Sequence, residues 1–395
     1  MSDIVHAPVR PRHDRPTLVS YGALASWSWF VYGLGATLVF LRDEQDSAPW
    51  LQGFHGTALA AGGIVGALMA PRFINRFGRG TVMRVGVIGT AVCISLFVIP
   101  IPTPVWTLST VLIACFFGNL IVVCVNAFIA THQGAASPAA FTESTGLAAL
   151  MGLLAPVAIG VAASTLLGWR AGLLVCVVMF AVIEVWRGRA LAVYGAPGLV
   201  ETRKSSGALP RLTFWALFAG TAYIGAEFCI SLWGASLLRE RADMEPAAAA
   251  AGLGAFLGGV FIGRAFGSGL ARRFSSELLL RGSLIAGLIT FALMWISSAA
   301  PALLVAFFAT GIALSLAWPL SMSRILRSAG GRADRASSLA LAFTTAAIGV
   351  APFVLGGLAG AMPVHRAFLL VPLLLLVSLV LVLLRPVPED VSPAQ

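Results

Sequence analysis

Apolar residues along the chain fall into twelve long runs separated by short polar segments. Most runs hold 20 or more residues, about the length at which an α-helix crosses the hydrocarbon core of a bilayer. Backbone groups in lipid must be hydrogen-bonded within the segment, and no run shows the alternation of barrel strands, so the pattern predicts helices. The runs cover roughly residues 18–41, 51–74, 81–100, 104–131, 138–167, 171–190, 212–237, 247–271, 278–299, 301–325, 337–362 and 367–384. We therefore expect an all-α polytopic membrane protein with twelve transmembrane helices.

The longest polar stretch, residues 187–211, divides these runs into two sets of six. The predicted organisation follows from this division. It comprises a cytoplasmic tail (1–17), an N-terminal six-helix lobe (18–190), a cytoplasmic linker (191–211), a C-terminal six-helix lobe (212–384) and a second cytoplasmic tail (385–395).

The distribution of basic residues predicts the orientation in the membrane. With the N-terminus inside, 20 of the 26 Lys and Arg residues fall in cytoplasmic segments, five in exterior loops, and Arg264 within a span. Cytoplasmic loops carry such an excess of Lys and Arg, so both termini are predicted to be cytoplasmic and the protein to be a multi-pass protein of the cytoplasmic (inner) membrane. The net charge of +10 follows from this topology. It therefore gives no reason to expect nucleic acid as a partner.

Composition agrees with a lipid-embedded chain. Of the 395 residues, 58% are hydrophobic and only 11% are charged, against about 25% charged residues in an average soluble protein. A chain this poor in charge cannot cover itself with a hydrated surface, whereas lipid can cover an apolar exterior.

The two halves repeat one another at an offset of 196 or 197 residues. Gly62, Gly66 and Arg76-Phe77 align with Gly259, Gly263 and Arg273-Phe274, and Ala155-Pro156 and Gly160 align with Ala351-Pro352 and Gly356. Six spans return the chain to the same side, so the two copies are parallel. Parallel six-helix halves are typical of transporters in which one half rocks against the other.

The loop after the second span resembles a motif of the major facilitator superfamily. The family pattern is G-x-L-A-D-R-x-G-R-R, and the matching segment runs from Pro71 to Gly80. Arg76, Gly78 and Arg79 match, Asn75 stands at the Asp position, and Pro71 and Gly80 depart from the pattern. In the second half the corresponding loop carries Arg272 and Arg273. The resemblance implies gate loops at these residues, although the usual acidic contact is missing from both.

The resemblance implies the fold and the activity of that superfamily. The fold would be two pseudo-symmetric six-helix bundles, and the activity secondary active transport of a small organic solute by alternating access, with protons as the expected coupling ion. A looser similarity to sugar-type members rests on Asn126-Ala127 and on Tyr223-x-Gly225-x-Glu227. We expect a monomer in the lipid bilayer that is no enzyme and needs no cofactor.

Glu227 is the strongest candidate for substrate binding and for coupling, because it is the one carboxylate well inside a span. An ionisable group there costs about 3 kcal/mol, which points to function. Tyr223, Glu227 and Ser231 share one helical face and suit a solute that carries hydroxyl groups. The plainer alternative is a protonated Glu227 that holds two helices together.

Arg264 lies about seven residues from the cytoplasmic end of the eighth run, which is roughly 10 Å of helix. Two readings remain open for it. Arg264 either extends its guanidinium to the interface as an anchor, or lines a cavity and assists Glu227 or an anionic solute in coupling.

Polar and aromatic residues enrich the first, fourth and tenth spans, which with the seventh line the cavity in the superfamily. The candidates are Ser28, Trp29 and Tyr32 in the first span, Asn119 and Asn126 in the fourth, and Trp318 in the tenth. The alternative for each aromatic residue is a place in the core or at the membrane interface.

Other functions remain as alternatives. A drug or metabolite efflux antiporter would use the same fold, but only Pro156 and Gly160 match its fifth-helix signature. A transport-inactive membrane sensor would normally carry an added soluble domain. The five cysteines lack metal-site spacing, and no P-loop occurs, so neither a metal nor ATP is expected.

Overall fold

In the computed structural model, the predicted helices form over residues 11–101, 103–196, 208–271, 274–330 and 332–387, the part of the chain that the structure describes. Twelve helical spans within these residues are long and apolar enough to cross a membrane. The helices are α1 Arg15–Gln45, α2 Pro49–Phe77, α3 Arg79–Phe97, α4 Pro104–His132, α5 Ser137–Ala163, α6 Gly168–Arg187, α7 Arg211–Ala242, α8 Pro246–Ala271, α9 Ser276–Ile296, α10 Ala300–Leu314, α11 Ala317–Arg327, α12 Ala333–Ala361, α13 Val364–Ala367 and α14 Leu370–Leu384. The predicted fold class is confirmed.

The tenth and twelfth spans each consist of two helices. The tenth span is interrupted at Ser315 and Leu316, between α10 and α11, and α12 is therefore the eleventh span. The twelfth span begins with the single turn α13 and continues as α14. The predicted run 301–325 is present as one span, Ala300–Arg327, which a two-residue turn divides.

Helices α1 and α7 form the centre of the molecule. In their most apolar stretches 83% and 78% of the residues are buried, against 50% or less in each of the other spans among the described residues. Helices α1–α6 form one lobe and α7–α14 the other. The lobes meet where α2 packs on α12, α5 on α8 and α1 on α7. The twelfth span has a mean hydropathy of 3.2 and many exposed leucines, as expected of a surface that faces lipid.

The internal duplication is visible in the backbone. Asp46 ends α1 and Asp243 ends α7, and both adopt the left-handed conformation, with φ of 43° and 48°. These two residues are 197 positions apart, the same offset as in the sequence repeat. Each lobe therefore turns at the same place with the same uncommon geometry.

The start of α1 is anchored by Asp14. Its carboxylate accepts a hydrogen bond from the Thr17 amide at 3.1 Å and pairs with His132 at 2.6 Å. Burial raises the pKa of Asp14, but the bonds from Thr17 and His132 outweigh it and leave that pKa below its usual value. An Asp in this position satisfies one of the free amides of the first turn.

The predicted linker begins as part of the first lobe. Residues 192–194 form a short helical turn, and the side chain of Tyr194 is buried, with the Arg187 guanidinium 5.4 Å from its ring. The Gly195 carbonyl accepts a hydrogen bond from the Arg79 amide at 3.2 Å. Residues 197–207 of the predicted linker lie outside the described residues.

Close helix crossings in the two lobes depend on a repeated glycine pair, which gives a first prediction. A Cβ at Gly62 would lie 2.0 Å from the Leu112 carbonyl oxygen of α4, and one at Gly259 would lie 2.1 Å from the Phe308 carbonyl oxygen of α10. We expect Gly62→Ala and Gly259→Ala each to destabilise the protein by about 1–3 kcal/mol, because the helices must separate.

Thermal unfolding of the protein in detergent measures this effect. Gly360→Ala is the matched control, because no atom lies within 4 Å of a Cβ at that position. If Gly62→Ala and Gly360→Ala melted at the same temperature, the close crossing would not contribute to stability.

Candidate substrate and proton site

A cavity of about 340 Å³ lies between the two lobes, near the middle of the central helices. It is lined by α1, α4 and α5 of the first lobe and by α7, α8, α11 and α12 of the second. The lining residues with polar or aromatic side chains are Trp27, Ser28, Tyr32, Thr145, Glu227, Phe228, Arg264, Trp318 and Thr344. One carboxylate and one guanidinium therefore share a cavity whose remaining lining is mostly aliphatic and aromatic.

Glu227 lies at the midpoint of α7, well inside its span as predicted. Its side chain is 3% exposed. Its Oε2 accepts a hydrogen bond from the Tyr223 hydroxyl, one turn earlier in α7, at 2.5 Å. The same hydroxyl lies 3.0 Å from the Leu314 carbonyl oxygen at the end of α10.

Arg264 extends from α8 into the same cavity. Its Nε donates to the Ser315 carbonyl oxygen at 3.3 Å, and its side chain lines the cavity together with Tyr32 and Glu227. Among the ion pairs of the described residues, none of 4 Å or less joins Arg264 to Glu227. Of the two readings of Arg264, the structure favours the cavity residue over the interfacial anchor.

The interruption of the tenth span explains both carbonyl contacts. Pro319 has no amide hydrogen, and its ring clashes with the carbonyl four residues earlier, which belongs to Ser315. The α-helical bond to Ser315 is therefore lost. Arg264 donates to the Ser315 carbonyl, and the Tyr223 hydroxyl lies 3.0 Å from the Leu314 carbonyl oxygen. These are the two carbonyls next to the interruption. Pro71, Pro156 and Pro352 lie inside α2, α5 and α12 without such an interruption.

Several predicted binding residues lie on the cavity and several do not. Ser28, Tyr32, Glu227 and Trp318 line it. Tyr223 is behind Glu227, 1% exposed. Trp29 donates to the Gly172 carbonyl oxygen of α6 at 3.0 Å, which is a packing role inside the first lobe.

The remaining three candidates are also placed elsewhere. Asn119 donates to the Cys115 carbonyl oxygen in its own helix and lies against Gly63 of α2. Asn126 is exposed, and Ser231 is buried with no hydrogen-bond partner for its hydroxyl among the described residues.

Sequence reasoning missed Trp27, Thr145, Phe228 and Thr344 as lining residues. Thr145 and Thr344 lie on α5 and α12, outside the first, fourth, seventh and tenth spans that line the cavity in the superfamily. Hydroxyl groups inside otherwise apolar spans were the available signal. Thr145 and Thr344, like many other threonines, bond to carbonyls of their own helix, so that signal selects too many positions.

The lobes are closed against each other at one end of the cavity. Arg239 pairs with Asp43 at 2.6 Å, and Gln52 donates to the Ser236 hydroxyl at 3.0 Å. A Cβ at Gly35 would lie 2.0 Å from the Ser231 carbonyl oxygen, so α1 and α7 are in close contact there. Toward the end that holds the start of α1, the cavity lining includes the exposed Thr145.

The predicted gate loop of the first lobe is an ordered turn. Gly78 links α2 to α3 with φ of 80° and ψ of 152°. The Arg79 guanidinium donates to the Thr131 hydroxyl and the Tyr194 carbonyl oxygen, both at 3.1 Å, while Arg76 is exposed and lies 5.2 Å from the Phe77 ring centre. Asn75 lies in the last turn of α2 and has a partner. Arg272 and Arg273, of the second loop, lie outside the described residues.

These features define a two-lobed membrane protein of twelve spans with an inter-lobe cavity. No protein-family model and no curated protein sequence matches the chain. Several solved transporter structures share this fold over nearly the whole chain, and one of them, FucP, is a major facilitator superfamily transporter.

Three similar structures illustrate the match. A mutant of the nucleoside transporter NupG has a TM-score of 0.74 at 14% identity, covering 94% of this chain and 98% of that one. The tetrameric PepTSo2 has a TM-score of 0.71 at 12% identity, with 94% and 97% covered. A mutant of the E. coli fucose:proton symporter FucP has a TM-score of 0.62 at 17% identity, with 94% and 98% covered.

Gly78 gives a prediction for the first gate loop. Its combination of φ and ψ is adopted almost only by glycine, so a side chain there costs about 1–3 kcal/mol. We expect Gly78→Ala to lower the melting temperature in detergent, whereas Arg76→Ala in the same loop should leave it unchanged because that side chain is exposed. Equal melting of Gly78→Ala and the unsubstituted protein would contradict this account of the turn.

Proposed function

We propose that the protein is a secondary active transporter that moves a small organic solute across the cytoplasmic membrane by alternating access, with Glu227 as the site of proton binding. The observation that carries the proposal is a buried carboxylate that lines an inter-lobe cavity and has no ion pair with any cation that the structure describes. Ionisable residues at this depth mark substrate and ion pathways. The similar structures include a fucose:proton symporter, which supports the same activity.

The lining favours a neutral or zwitterionic solute with a flat ring and hydroxyl groups. Trp27, Tyr32 and Trp318 offer apolar faces, and Ser28, Thr145 and Thr344 offer hydroxyl groups. A solute with a net charge would leave either Glu227 or Arg264 beside a group of like charge, which is costly in a small cavity. The volume of about 340 Å³ suits a molecule of the size of a nucleoside or a monosaccharide.

If the termini are cytoplasmic, as the basic residues predict, the described conformation faces inward. The ends of α1 and α7 are then closed toward the exterior by Asp43, Arg239, Gln52 and Ser236. Transport in this scheme requires those contacts to separate while the cytoplasmic halves close. Rocking of two parallel lobes about a central site is the motion that the duplication allows.

The proton role predicts the behaviour of Glu227→Gln in liposomes. The unsubstituted protein should accumulate one of uridine, L-fucose or dialanine when a pH gradient is imposed, and a pH-sensitive dye should report proton movement with the solute. We expect Glu227→Gln to lose this accumulation while it still exchanges the solute at equal pH, because the amide cannot bind and release a proton.

Glu143→Gln is the matched control for that experiment. Glu143 is exposed near the start of α5, where it pairs with His13 at 2.8 Å, and it does not line the cavity. This control should retain gradient-driven accumulation. If Glu227→Gln accumulated the solute as well as the control does, the proton role would be wrong. If the folded, unsubstituted protein bound and moved none of the three solutes, a sensor function would be favoured.

Alternating access predicts that a cross-link across the closed end stops transport. The side chains of Asp43 and Arg239 meet at 2.6 Å on opposite lobes, and all five native cysteines are buried. We expect Asp43→Cys/Arg239→Cys treated with a short bismaleimide to lose solute flux in both directions. Each single-cysteine variant given the same reagent should keep its flux, and undiminished flux in the cross-linked protein would exclude rocking at this end.

A further inference from the structure

The Tyr223 hydroxyl lies between two acceptors but has one hydrogen to donate. Glu227 Oε2 is 2.5 Å from it and the Leu314 carbonyl oxygen is 3.0 Å from it. The first acceptor belongs to the candidate proton site, and the second to the end of α10, where the tenth span is interrupted. The Tyr223 hydroxyl therefore donates to whichever of the two acceptors forms the stronger hydrogen bond.

The protonation of Glu227 decides between the two acceptors. When Glu227 is ionised it can only accept, so the charged oxygen takes the Tyr223 hydrogen, since hydrogen bonds to charged groups are the stronger ones. When a proton from the cavity binds the carboxylate, Glu227 can donate that proton to the Tyr223 oxygen. The Tyr223 hydrogen is then free for Leu314. One proton added to Glu227 thus strengthens the bond between α7 and α10 without any other bond being broken.

The neighbouring groups do not replace this link. Arg264, from α8, donates to the carbonyl of Ser315, the residue after Leu314. Its guanidinium only donates hydrogen bonds and does not accept the Tyr223 hydrogen. Tyr32 lines the same cavity from α1. Trp318 of α11 and Thr344 of α12 also line it, and neither of these two side chains titrates. Among these groups Tyr223 is the one that touches both Glu227 and the span interruption.

We propose that Tyr223 is a positioning residue that transmits the protonation state of Glu227 to the interruption of the tenth span. This inference rests on the proposed proton role of Glu227. In the protonated state α10 is held to α7, and in the ionised state α10 and α11 are freer to move relative to α7. Trp318 lines the cavity from α11, so this motion would change the shape of the solute site.

Hydrogen exchange read by mass spectrometry tests the link on the full-length protein in lipid nanodiscs, with no solute added. The segment measured is 312–322, which spans the interruption, and a segment of α3 serves as the internal reference. Glu227→Gln mimics the protonated carboxyl, because its amide donates permanently. We expect the double variant Glu227→Gln/Tyr223→Phe to exchange in this segment about fivefold faster than Glu227→Gln alone, the factor that one ordinary hydrogen bond contributes.

The matched control is Glu227→Gln/Tyr32→Phe, which removes the tyrosine hydroxyl of the cavity lining and should exchange at the rate of Glu227→Gln alone. If both double variants exchanged alike, the link through Tyr223 would be refuted. Any variant that also exchanges faster in α3 is misfolded as a whole. In that case Tyr223→Met, which also lacks the hydroxyl, takes the place of Tyr223→Phe.

A second arm tests the dependence on the proton. After correction for the intrinsic exchange rate, the unsubstituted protein should become more protected in segment 312–322 as the pH falls, and Glu227→Gln should not. Equal pH dependence in both would overturn the inference. This readout needs no transport, so it separates the two proposals. Loss of proton-driven flux in Glu227→Gln without any effect of Tyr223 on exchange would leave the proton site standing and remove only the link.

Discussion

Within a membrane, every backbone carbonyl needs a hydrogen-bond donor. In the tenth span, the Ser315 carbonyl has no helical donor. Pro319 withdraws the helical partner of Ser315, and the interruption of the helix follows. An unsatisfied carbonyl in lipid costs several kcal/mol, so side chains must replace what the helix lost. Arg264 does so from α8, and the Tyr223 hydroxyl of α7 lies 3.0 Å from the neighbouring Leu314 carbonyl oxygen. The position of Arg264 thus agrees with the need to satisfy the Ser315 carbonyl.

This constraint also explains why Arg264 is tolerated so deep in the protein. A guanidinium buried without acceptors would be very costly. Here the Ser315 carbonyl accepts from it, and the cavity admits polar contact on its other side. Because Arg264 is held by the backbone, it does not need to pair with Glu227. The carboxylate is therefore not fixed in an ion pair with Arg264, as the proposed proton role requires.

Much of the fold was predictable from the sequence, since it rests on patterns that survive without knowledge of contacts. Run length predicted the spans, and the offset of 197 residues predicted the two lobes, which Asp46 and Asp243 repeat in their backbone geometry. The site was predictable only in part. Glu227 and Arg264 were found because charge in lipid is conspicuous in a sequence. Trp29 and Trp318 could not be told apart, because which helix faces the cavity depends on rotations that packing decides.

The two lobes differ at the positions where the second half carries charged residues or proline and the first half does not. The paired glycines Gly62 and Gly259 make the same close crossing in both lobes, so the scaffold was copied. At the same offset Glu227 corresponds to Phe30, Arg264 to Ala67 and Pro319 to Val122. Pro319, Arg264 and Glu227 thus have no counterparts in the first lobe. Arg264 and Tyr223, the partner of Glu227, both approach carbonyls of the interrupted span. The first lobe completes the cavity, with Ser28 and Tyr32 of α1 in its lining. In the proposed scheme, the protonation of Glu227 affects the interruption because Glu227 and Leu314 compete for the single hydrogen of the Tyr223 hydroxyl.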